Sequence, residues 1–530
     1  MCDPITEAAA AGLFGGSPFP TGVGYPSSIL DHLDRHVTAR GDAPYLTVVA
    51  DGSTSLTYRE LDRYSRRIAY WLHTECAVAG GTAVGLALVN DLDSVLALFG
   101  VLRAGTPALI LNPADPASRL AEQTAALGVS LVLHGRGAPD VAIPDAVRLP
   151  DPARLPDPPD EHVFPEIRSA DDALYFGTSG STAASKLVAQ THANGAANAR
   201  AVMLHHGLEP GDTFLGCLPI HHVNGVHFTL FGTLAAGAHA VLAARFDPFS
   251  YPALITEHRP RVASVVPSIL DALTVSWRRP VLPPEFCYFV SAAAPLTAAT
   301  ARAVHKRLGS RVLQGYGLTE TTNFSMTMPR GLSDSGYRRL MIDVAIPSVG
   351  VAVHGNEVAV LRSDGTRAEP GEIGEICMRG HNVMSRYANN SEATDEAFQG
   401  GWFHSQDLGY AVVDPELGRP VFFLTGRIKN IAKVRGETVS LEEMERVLRE
   451  LPGVQDAACA ALPDPLLGET VVAAVAAPGE VADAQLRAHV AGHFAAAVLP
   501  TRYVRVEKVP RTATGKVLRL DLRRLLASSD

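Results

Sequence analysis

The sequence repeats a pattern in which a short apolar run is followed by a helical segment and then by another apolar run. One such unit comprises Val84–Val89, Ser94–Ala104 and Pro107–Leu111. Strands and helices that alternate at this spacing form βαβ units, which place their strands side by side in a parallel sheet. Later apolar runs at Tyr288–Ser291 and Arg311–Gln314 also end in small or glycine-rich residues. Because ligands bind at the carboxyl ends of strands in open α/β sheets, we expect the functional site at these ends.

A stretch rich in hydroxyl side chains, YFGTSGSTAASKLVAQTHAN, occupies residues 175–194. Residues 178–182 bring hydroxyl and backbone N–H donors close together, and Lys186 adds one positive charge. Backbone amides and an ammonium can surround an anion, so this stretch is compatible with a phosphate-binding loop. It has neither the G-x-x-x-x-G-K-[ST] order of a P-loop nor the G-x-G-x-x-G order of a dinucleotide-binding turn. Taken alone, it is equally compatible with a Ser/Thr-rich surface loop.

Length and composition limit the class of protein. A chain of 530 residues exceeds what one hydrophobic core supports, so at least two domains are expected. The net charge of −9 argues against nucleic acid as the main partner, because phosphate backbones attract clustered Lys and Arg. No apolar run is long enough to span a bilayer, the N-terminus has no basic region before its apolar part, and the six cysteines form no CxxC pair. We therefore expect a cytoplasmic globular enzyme, monomeric or homodimeric, without a membrane or nucleic-acid partner.

The predicted secondary-structure pattern changes twice towards the C-terminus. From Ser348 to Phe423, short β-like runs alternate with glycine-containing turns. Helix Leu441–Leu451, two strands and helix Asp483–Leu499 then form a self-contained unit. We predict an α/β chain whose large N-terminal domain, residues 1–428, contains mixed and parallel sheets flanked by helices plus a β-rich subdomain. A small α+β domain, residues 429–530, is predicted to follow it.

Further polar motifs lie at the ends of predicted strands and beside the C-terminal unit. They are LPIHHVNG at 218–225, GYGLTE at 315–320, WFHSQDLG at 402–409, GRIKN at 426–430, KVRGE at 433–437 and PRTATGK at 510–516. In GYGLTE the glycines permit close backbone approach, Tyr316 offers a stacking face, and Glu320 offers a hard oxygen ligand for a cation. Taken singly, Asp407 fits a turn residue, Lys516 fits a solvated basic tail, and His222 fits a core histidine.

In this order and spacing, the motifs resemble those of the adenylate-forming superfamily, which includes acyl-CoA synthetases, adenylation domains of peptide synthetases and luciferases. The resemblance extends from about Leu56 to Leu525 and favours the acyl-CoA synthetase branch, since no carrier domain is attached. It implies the superfamily fold, with a mobile C-terminal domain. It also implies that the protein joins a carboxylic acid to coenzyme A through an acyl-adenylate, using ATP and Mg²⁺ and releasing AMP.

The resemblance implies a role for each motif residue in the first half-reaction. Thr319 would contact phosphate oxygens, Glu320 would hold Mg²⁺, and Asp407 would accept both ribose hydroxyls. Lys516 would bridge the substrate carboxylate and the α-phosphate, because these anions repel each other and charge builds in the transition state. The other residues implied in nucleotide and CoA binding are Thr178, Ser179, Gly180, Ser181, Thr182, Lys186, Ala292, Ala293, Gly315, Tyr316, Gly317, Arg427, Lys433, Arg435 and Gly436.

The second half-reaction would use a different face of the small domain. Lys429 would be the hinge about which this domain swings after adenylation. The face that bears Gly436 would then line the pantetheine tunnel, where glycine lets the backbone approach the ligand. His222 would be the gate between the acyl pocket and the tunnel. The acyl pocket itself is predicted to include His222, Asn224, His227, Ser291, Gly315, Gly317 and Thr322.

The hydroxyl loop departs from the pattern T-S-G-[ST]-[ST]-G-x-P-K-G that this superfamily usually carries. Ala183, Ser185 and Leu187 replace a glycine, the proline and another glycine, while Ser385 and Gln406 replace two more glycines. Alanine at a position that needs positive φ costs about 1 kcal/mol. The departures fall mainly on the grip around the β- and γ-phosphates. This pattern raises the hypothesis that adenylation is weak or lost, so that a partner ligase supplies acyl-AMP and this protein mainly forms the thioester.

Two other functions stay open at this stage. A freestanding adenylating enzyme would load a carrier protein and ignore CoA, and a nucleotide-binding pseudoenzyme would bind without turnover. Retention of Lys516 and Glu320 argues against the pseudoenzyme, because a pure binder has little use for either residue. No Asp or Lys near the predicted pocket would fix a substrate ammonium or a second carboxylate. We therefore expect the substrate to be a bulky or aromatic hydrophobic carboxylic acid.

Overall fold

The computed structural model describes residues 28–50, 52–78, 80–138, 141–143, 145–178, 186–278, 281–434, 437–464, 468–512 and 515–528. The helices in this part of the chain are α1 Ile29–Arg40, α2 Tyr58–Thr74, α3 Leu92–Arg103, α4 Ala117–Ala126, α5 His192–His206, α6 Thr233–Ala236, α7 Tyr251–His258, α8 Pro267–Ser276, α9 Ala298–Leu308, α10 Asp334–Tyr337, α11 Ser391–Ala397, α12 Leu441–Glu450, α13 Asp483–Ala491 and α14 Arg519–Ala527. Within this same part, no helix combines the length and apolar character that crossing a bilayer requires.

The strands of the larger, N-terminal part are β1 Pro44–Val49, β2 Ser53–Thr57, β3 Val84–Ala87, β4 Ala108–Leu111, β5 Val132–His134, β6 Val147–Arg148, β7 Asp172–Gly177, β8 Leu187–Thr191, β9 Thr213–Gly216, β10 His239–Ala243, β11 Val262–Val265, β12 Tyr288–Ser291, β13 Arg311–Gly317, β14 Phe324–Thr327, β15 Val351–Ala352, β16 Asn356–Leu361, β17 Gly374–Gly380, β18 Arg386–Tyr387, β19 Phe403–Val413 and β20 Pro420–Arg427. The C-terminal part adds β21 Ile431–Val434, β22 Glu437–Ser440, β23 Asp456–Asp464, β24 Gly468–Ala476 and β25 Arg502–Arg505.

Two large sheets carry most of these strands. A nine-stranded sheet has the order β15-β14-β13-β12-β11-β9-β10-β1-β2, with parallel pairing from β13 to β1 and antiparallel pairing at both edges. A seven-stranded sheet has the order β18-β8-β7-β4-β3-β5-β6, and its strands from β7 to β6 are parallel. The mixed and parallel α/β architecture predicted from the strand–helix alternation is therefore confirmed. Parallel strands that end at one edge bring distant loops together there.

Helix α2 shows how local sequence sets the boundaries of these elements. Thr57 is its N-cap, and the Thr57 side chain accepts a hydrogen bond from the Glu60 backbone. Glu60 in turn accepts a 2.8 Å hydrogen bond from the Thr57 backbone, which completes the predicted capping box. The buried face of α2 includes Leu61 and Ile68, which belong to the core that joins the two large sheets. Phe99 on α3 lies at the centre of this core, fully buried.

Two antiparallel sheets complete the fold. A four-stranded sheet, β16-β17-β19-β20, forms the β-rich part that the glycine-containing turns predicted. A five-stranded sheet has the order β22-β21-β24-β23, with β25 beside β24. Helices α12 and α13 pack on one face of this sheet through residues such as Met444 and Leu486, whereas Leu522 of α14 packs on the other face. The α+β C-terminal unit is confirmed, and the boundary between 428 and 429 stays a prediction.

Two element boundaries differ from the sequence-based expectation. Strand β13 does not end at Gln314 but continues to Gly317, because Gly315–Gly317 pair with the antiparallel strand β14. Helix α13 ends at Ala491 rather than Leu499, since Gly492 is its C-cap and only a short 3₁₀ turn follows at Ala496–Val498. Glycine is a poor helix former, so the apolar residues beyond it do not extend the helix.

Candidate active site

The predicted phosphate loop joins the antiparallel strands β7 and β8. The Thr178 N–H donates a 2.9 Å hydrogen bond to the Lys186 carbonyl, and Arg119 Nη2 donates at 2.9 Å to the Thr178 carbonyl. The loop therefore leaves and re-enters the sheet at neighbouring positions, beside the carboxyl end of β7. The predicted loop residues Ser179, Gly180, Ser181 and Thr182 lie outside the described residues, as do Ala183 and Ser185.

Tyr387 links Lys186 to Glu320. The Lys186 Nζ lies 4.8 Å from the centroid of the Tyr387 ring, and the Tyr387 hydroxyl donates a 2.9 Å hydrogen bond to Glu320 Oε1. Strand β18 pairs with β8, which brings Tyr387 to this position. The Met384 N–H donates at 2.7 Å to the Glu320 carbonyl and holds the backbone of the same turn. The Lys186 ammonium and the Glu320 carboxylate thus both contact Tyr387 at the edge of the sheet.

Asp407 is buried, and each of its carboxylate oxygens has a partner. The Tyr316 hydroxyl donates a 2.6 Å hydrogen bond to Oδ2, and Arg427 Nε forms an ion pair of 2.7 Å with Oδ1. Strands β19 and β20 place Asp407 and Arg427 directly opposite each other. Asp407 raises the pKa of Arg427, while burial and then Asp407 raise the pKa of Tyr316 well above its usual value. Tyr316 therefore stays protonated and Arg427 stays charged.

The turn before Asp407 has a left-handed backbone at Gln406, with φ of 61°. This explains why glycine is usual there in the superfamily pattern, because side chains with a Cβ rarely adopt this conformation. The Gln406 N–H donates a 2.7 Å hydrogen bond to Glu375 Oε1, and Glu375 Oε2 lies 2.8 Å from His404 Nδ1. Glu375 therefore holds the strained turn that presents Asp407. The sequence analysis gave Glu375 no functional role, since its partner Gln406 is distant along the chain.

Lys516 comes from the C-terminal segment, and the cleft is the region bordered by Lys516, Glu320, Tyr316 and Asp407. Gly515 has φ of 87° and lies so close to the larger domain that a Cβ on it would be 3.5 Å from the Ala294 Cβ. Surrounding protein lowers the pKa of Lys516, Arg427 lowers it further, and Glu320 and Asp407 oppose this shift. The side chain of Lys516 is exposed to solvent. Lys516 is therefore exposed but interacts electrostatically with Glu320 and Asp407, and its loop lies against the larger domain.

Arg511 holds the loop that carries Lys516. Its Nη1 donates a 2.7 Å hydrogen bond to the Gly515 carbonyl, and its Nη2 forms a 2.7 Å ion pair with Asp456 Oδ1. The Lys516 N–H donates at 3.1 Å to Thr512 Oγ1. A bidentate guanidinium of this kind fixes geometry as well as charge. Arg511 is thus a structural anchor for the lysine.

The LPIHHVNG motif lies at the same cleft, anchored by Asn90. Asn90 Oδ1 accepts a 2.9 Å hydrogen bond from the Ile220 N–H, and Asn90 Nδ2 donates at 3.2 Å to the Leu218 carbonyl. His221 Nδ1 lies 3.1 Å from the Leu88 carbonyl, so His221 is a satisfied structural histidine. His222 is exposed at the open cleft, and its pKa is lowered by the surrounding protein and then by His221 and Lys516.

Two residues predicted for the acyl pocket, Asn224 and His227, belong to a π-helical segment, Asn224–Gly232. Such segments are rare and recur at functional sites. His227 is fully buried, and its Nε2 lies 2.7 Å from Gln190 Oε1. Gln190 Nε2 in turn donates a 2.9 Å hydrogen bond to the Thr319 carbonyl, which connects the pocket to the GYGLTE motif. Burial lowers the pKa of His227 to about 3, so its ring is uncharged at neutral pH.

Three more predicted pocket residues come from the ends of β12 and β13. Ser291 is fully buried, and among the described residues its hydroxyl has no hydrogen-bond partner. A Cβ on Gly315 would lie 2.8 Å from the ring of Phe324, and a Cβ on Gly317 would collide with the Asn323 carbonyl oxygen. Packing of β13 against β14 therefore demands both glycines, whatever ligand the site binds.

Thr322 ends the short turn that carries Thr319 and Glu320. It adopts φ of 61° and ψ of −53°, a rare conformation for a β-branched residue. Its side chain is fully buried, and Oγ1 donates a 2.7 Å hydrogen bond to the Asn382 carbonyl. Asn382 Nδ2 donates back at 3.1 Å to the Thr321 carbonyl. The strained turn is thus held by a segment distant in sequence, as strained functional turns require.

The remaining predicted residues lie at the rim of the cleft and on the C-terminal unit. Ala292 is buried, whereas Ala293 is exposed and has φ of 69°. Lys429 is exposed on the 3₁₀ turn Ile428–Asn430, and Lys433 is exposed on β21. Arg435 and Gly436 lie outside the described residues. The hinge, adenine and CoA roles of these residues stay predictions.

The donors at this cleft fit Mg²⁺ bound together with ATP. Glu320 supplies a hard oxygen, and only its Oε1 accepts the Tyr387 hydrogen bond. Mg²⁺ typically binds one or two carboxylates plus substrate phosphates and keeps several waters. One carboxylate beside Lys186 suits that arrangement, and the bound ion would neutralise phosphate charge there.

Two family matches cover most of the chain. The AMP-binding enzyme family matches residues 33–388. The chain belongs to the AMP-binding enzyme family. The AMP-binding enzyme C-terminal domain matches residues 443–516 of this AMP-binding enzyme, a range that ends at Lys516.

Curated relatives of this AMP-binding enzyme are CoA ligases. It is 30% identical over 501 residues to sulfoacetate–CoA ligase from Cupriavidus necator, covering 91% of this chain and 94% of that protein. It is 29% identical over 541 residues to 4-coumarate–CoA ligase 5 from Oryza sativa subsp. japonica, covering 94% and 96%. The protein is accordingly an acid–thiol ligase of the AMP-forming type that acts through an acyl-adenylate.

A solved structure shares the fold of this AMP-binding enzyme. It is o-succinylbenzoate CoA synthetase from Bacillus subtilis in complex with the acyl-adenylate intermediate OSB-AMP. The two chains superpose with a TM-score of 0.81 at 25% sequence identity, covering 93% of this chain and 97% of the other. The adenylate-forming fold predicted from the motifs is therefore confirmed.

Proposed function

We propose that this protein converts an aromatic or other bulky hydrophobic carboxylic acid to its acyl-CoA, with Lys516 serving adenylation and a swing of the small domain serving thioester formation. The observation that carries this proposal is the approach of Gly515 to Ala294, which brings the loop of Lys516 against the larger domain, where Glu320, Asp407 and Arg427 influence the pKa of Lys516. An ammonium in reach of the nucleotide-binding carboxylates can neutralise both the attacking carboxylate and the α-phosphate. Preorganised charge of this kind is usually the largest contribution to such a step.

In the adenylation step, one oxygen of the substrate carboxylate attacks the α-phosphorus of ATP, and the bond to pyrophosphate breaks. Lys516 would hold the two reacting anions together, while Lys186 would face the departing pyrophosphate. Asp407 would fix the ribose and Tyr316 would lie along the adenine. In the thioester step, the CoA sulfur would attack the acyl carbon, and AMP would leave with the anhydride oxygen. His222, which is exposed, would gate the path of the incoming thiol.

The substrate class follows from the charge of the predicted pocket. Asn224, Ser291 and Thr322 are neutral, and the lowered pKa of His227 keeps its ring uncharged at neutral pH. A second carboxylate or a sulfonate on the acid would be buried without a cation, which is costly. The free Ser291 hydroxyl can accept or donate one hydrogen bond to a neutral substituent. These features favour an aromatic monocarboxylic acid that carries at most neutral polar groups.

The strength of the adenylation step depends on the departures in the glycine pattern. Leu187 occupies a regular position in β8 opposite Gly177, and Ser385 is not among the residues with positive φ, so neither substitution strains the backbone. Gln406 does adopt positive φ, but Glu375 holds it in place. The proposed weakening of adenylation therefore concentrates on Ala183 and Ser185, beside Lys186.

One experiment separates these functions. A panel of aromatic, aliphatic and dicarboxylic acids is incubated with enzyme, ATP, Mg²⁺ and CoA, and ATP–pyrophosphate exchange is measured in parallel. We expect acyl-CoA from aromatic acids, slow exchange, and faster thioester formation from synthetic cinnamoyl-AMP than from cinnamate with ATP. Lys516→Ala should lower exchange about 100-fold and spare thioester formation, since its charge acts in the first transition state.

Other outcomes would contradict the proposal. Acyl transfer to a phosphopantetheinylated carrier but not to CoA would indicate a carrier-loading enzyme. Tight nucleotide binding without turnover of any acid or acyl-AMP would indicate a pseudoenzyme. Brisk ATP–pyrophosphate exchange with the native acid would eliminate the need for a partner ligase. If dicarboxylic acids were the best substrates, the prediction that the acyl pocket is uncharged would be wrong.

A further inference from the structure

Glu442, on the first turn of α12, bridges the predicted hinge and the segment that carries Lys516. Its Oε1 accepts a hydrogen bond from Asn430 Nδ2, next to Lys429. The same oxygen lies 3.4 Å from Arg519 Nη2, and Arg519 begins α14 three residues after Lys516. Glu442 thus connects the segment next to the predicted hinge with the segment next to Lys516. No motif in the sequence pointed to this residue.

The other oxygen of Glu442 faces the larger domain. A Cβ on Gly426 would lie 3.2 Å from Glu442 Oε2, and Gly426 precedes the predicted hinge. Nearby, the Ser440 hydroxyl donates a 3.3 Å hydrogen bond to the Thr425 carbonyl, again across the hinge. Among the described residues, Glu442 Oε2 is buried without any hydrogen-bond partner. A carboxylate oxygen left without a partner at a domain contact is unfavourable when charged.

The charged groups around Glu442 do not offset the free-energy cost of burying its ionised carboxylate. Arg519 and Glu445 lie on the small domain and shift the pKa of Glu442, whereas Arg427 lies at the end of β20 and its own pKa is raised by Glu442. Arg519 is already shared with Glu445 Oε1, with which it forms an ion pair. Burial raises the pKa of Glu442 to about 7, Arg519 opposes the rise, and Glu445 adds to it. The protonated form therefore suits the domain arrangement in which Lys516 lies in the cleft.

We propose that Glu442 is a positioning residue that holds the small domain in the orientation bringing Lys516 to the cleft and sets how readily that orientation is left. This inference rests on the proposed function, because it assigns the observed orientation to adenylation. A swing about Lys429 would separate Glu442 from Gly426 and Arg427 and return its carboxylate to water. Its pKa would then fall towards the ordinary value for glutamate.

The sign of the pH effect follows from these two states. Between the ordinary glutamate pKa and about 7, Glu442 is protonated in the observed orientation and ionised in the swung one. Rising pH therefore favours the swung orientation until Glu442 is ionised in both, above about pH 7. Adenylation should weaken relative to thioester formation as the pH rises from 6 to 8.5, and a neutral isostere at this position should remove that trend.

A crosslink reports the orientation without any substrate. Ala294→Cys and Gly515→Cys place two thiols where the Cβ separation of 3.5 Å suits a disulfide. The rate of oxidative crosslinking is measured from pH 6 to 8.5 in this background with and without Glu442→Gln. The ratio of the two rates at each pH cancels the ionisation of the thiols. Because Glu442 ionises in the observed orientation near pH 7, we expect the rate of Glu442→Gln relative to the parent to grow about tenfold between pH 6 and pH 8.5.

Matched variants keep the test decisive. Glu443→Gln changes the adjacent exposed glutamate and should leave the pH profile unchanged. Asn430→Ala removes a donor to Glu442 and should lower crosslinking at high pH further. In parallel, the ratio of ATP–pyrophosphate exchange to thioester formation from cinnamoyl-AMP should fall with pH in the parent and stay flat in Glu442→Gln. If the crosslinking rate of Glu442→Gln relative to the parent changed by less than twofold between pH 6 and pH 8.5, the inference would be overturned. If the parent catalysed neither half-reaction, the proposed function would be overturned instead.

Discussion

Tyr387 donates its hydroxyl to Glu320 Oε1 at 2.9 Å while its ring face carries the Lys186 ammonium 4.8 Å from the centroid. The two charged groups assigned to the phosphate end of ATP are thereby held by a single side chain. Tyr387 sits on the two-residue strand β18, which pairs with β8 directly after Lys186. Any movement of the phosphate loop would therefore be transmitted to the carboxylate that is proposed to hold Mg²⁺.

Tyr387→Phe should impair adenylation selectively. The variant keeps the ring beneath Lys186 but removes the hydrogen bond to Glu320, and a hydrogen bond to a charged group contributes about 1.5–3 kcal/mol. We expect ATP–pyrophosphate exchange to fall roughly tenfold or more, and the Kd of ATP with Mg²⁺ to rise in calorimetry. Thioester formation from cinnamoyl-AMP should change by less than about twofold, because that substrate lacks the β- and γ-phosphates that Lys186 and Mg²⁺ are proposed to hold.

The matched control for this variant is Tyr503→Phe, which removes a buried hydroxyl that has no partner among the described residues. It should leave both half-reactions intact. Equal losses in both half-reactions for Tyr387→Phe would show that Tyr387 is merely structural.

Asp407→Asn should weaken nucleotide binding and loosen the end of β20. The amide keeps the shape of the side chain but loses the charge that Arg427 Nε meets at 2.7 Å. We expect the Kd of ATP in calorimetry to rise about 30-fold or more, because a buried ion pair would be broken on one side only. Asp414→Asn, which changes a second buried aspartate paired with an arginine, is the control. An unchanged Kd in Asp407→Asn would remove Asp407 from the nucleotide site.

Gly317→Ala should destabilise the fold rather than merely alter the ligand site. The added methyl group would strike the Asn323 carbonyl oxygen, so β13 and β14 would have to separate. We expect a loss of about 3 kcal/mol or more in the free energy of unfolding, in the range typical of severe overpacking. Gly331→Ala is the control, since no atom lies within 4 Å of a Cβ placed there. A melting temperature equal to that of the control would contradict the described register of β13.

Acid should destabilise the protein through its buried histidines. The pKa of His227 is lowered to about 3 and that of His192 to about 4, in both cases mainly by burial. Because these values lie below the ordinary histidine pKa, the stability is complete above about pH 6.5 and is lost as the pH falls. We expect His227 alone to cost about 2 kcal/mol between pH 7 and pH 5. Urea midpoints measured across this range should depend less on pH in His227→Asn than in the parent. In the exposed-site variant His493→Asn they should depend on pH as much as in the parent.

Local sequence was sufficient where neighbours along the chain determine the structure. The capping box of Thr57 and Glu60 and the strand Tyr288–Ser291 were predicted and found, because each depends on adjacent residues. Strand β13 exceeded its predicted end because its extra pairing comes from β14. Glu375 and Tyr387 were given no functional role from the sequence for the same reason, since their partners Gln406 and Glu320 lie more than thirty residues away.

The motif residues were predicted through the superfamily resemblance, and the structure brings several of them together. Tyr316, Asp407, Arg427 and Lys516 come from two sheets and the C-terminal segment, which no local pattern could have indicated. Glu442 illustrates the limit of that approach. It lies outside every motif, and only the packing of α12 against the end of β20 reveals its contact with Gly426.

The pairing of Asp407 bears on the design of inhibitors. A carboxylate offers about four lone-pair positions, and Tyr316 and Arg427 each occupy one of them. Among the described residues no other group takes the remaining two, so the two hydroxyls of a ribose, which we propose that Asp407 binds, could donate to them while the Tyr316 and Arg427 contacts persist. Compounds that retain a cis-diol would donate to both of these positions, whereas deoxy or carbocyclic analogues lacking one hydroxyl would leave an acceptor without a donor in a buried site and should lose potency accordingly.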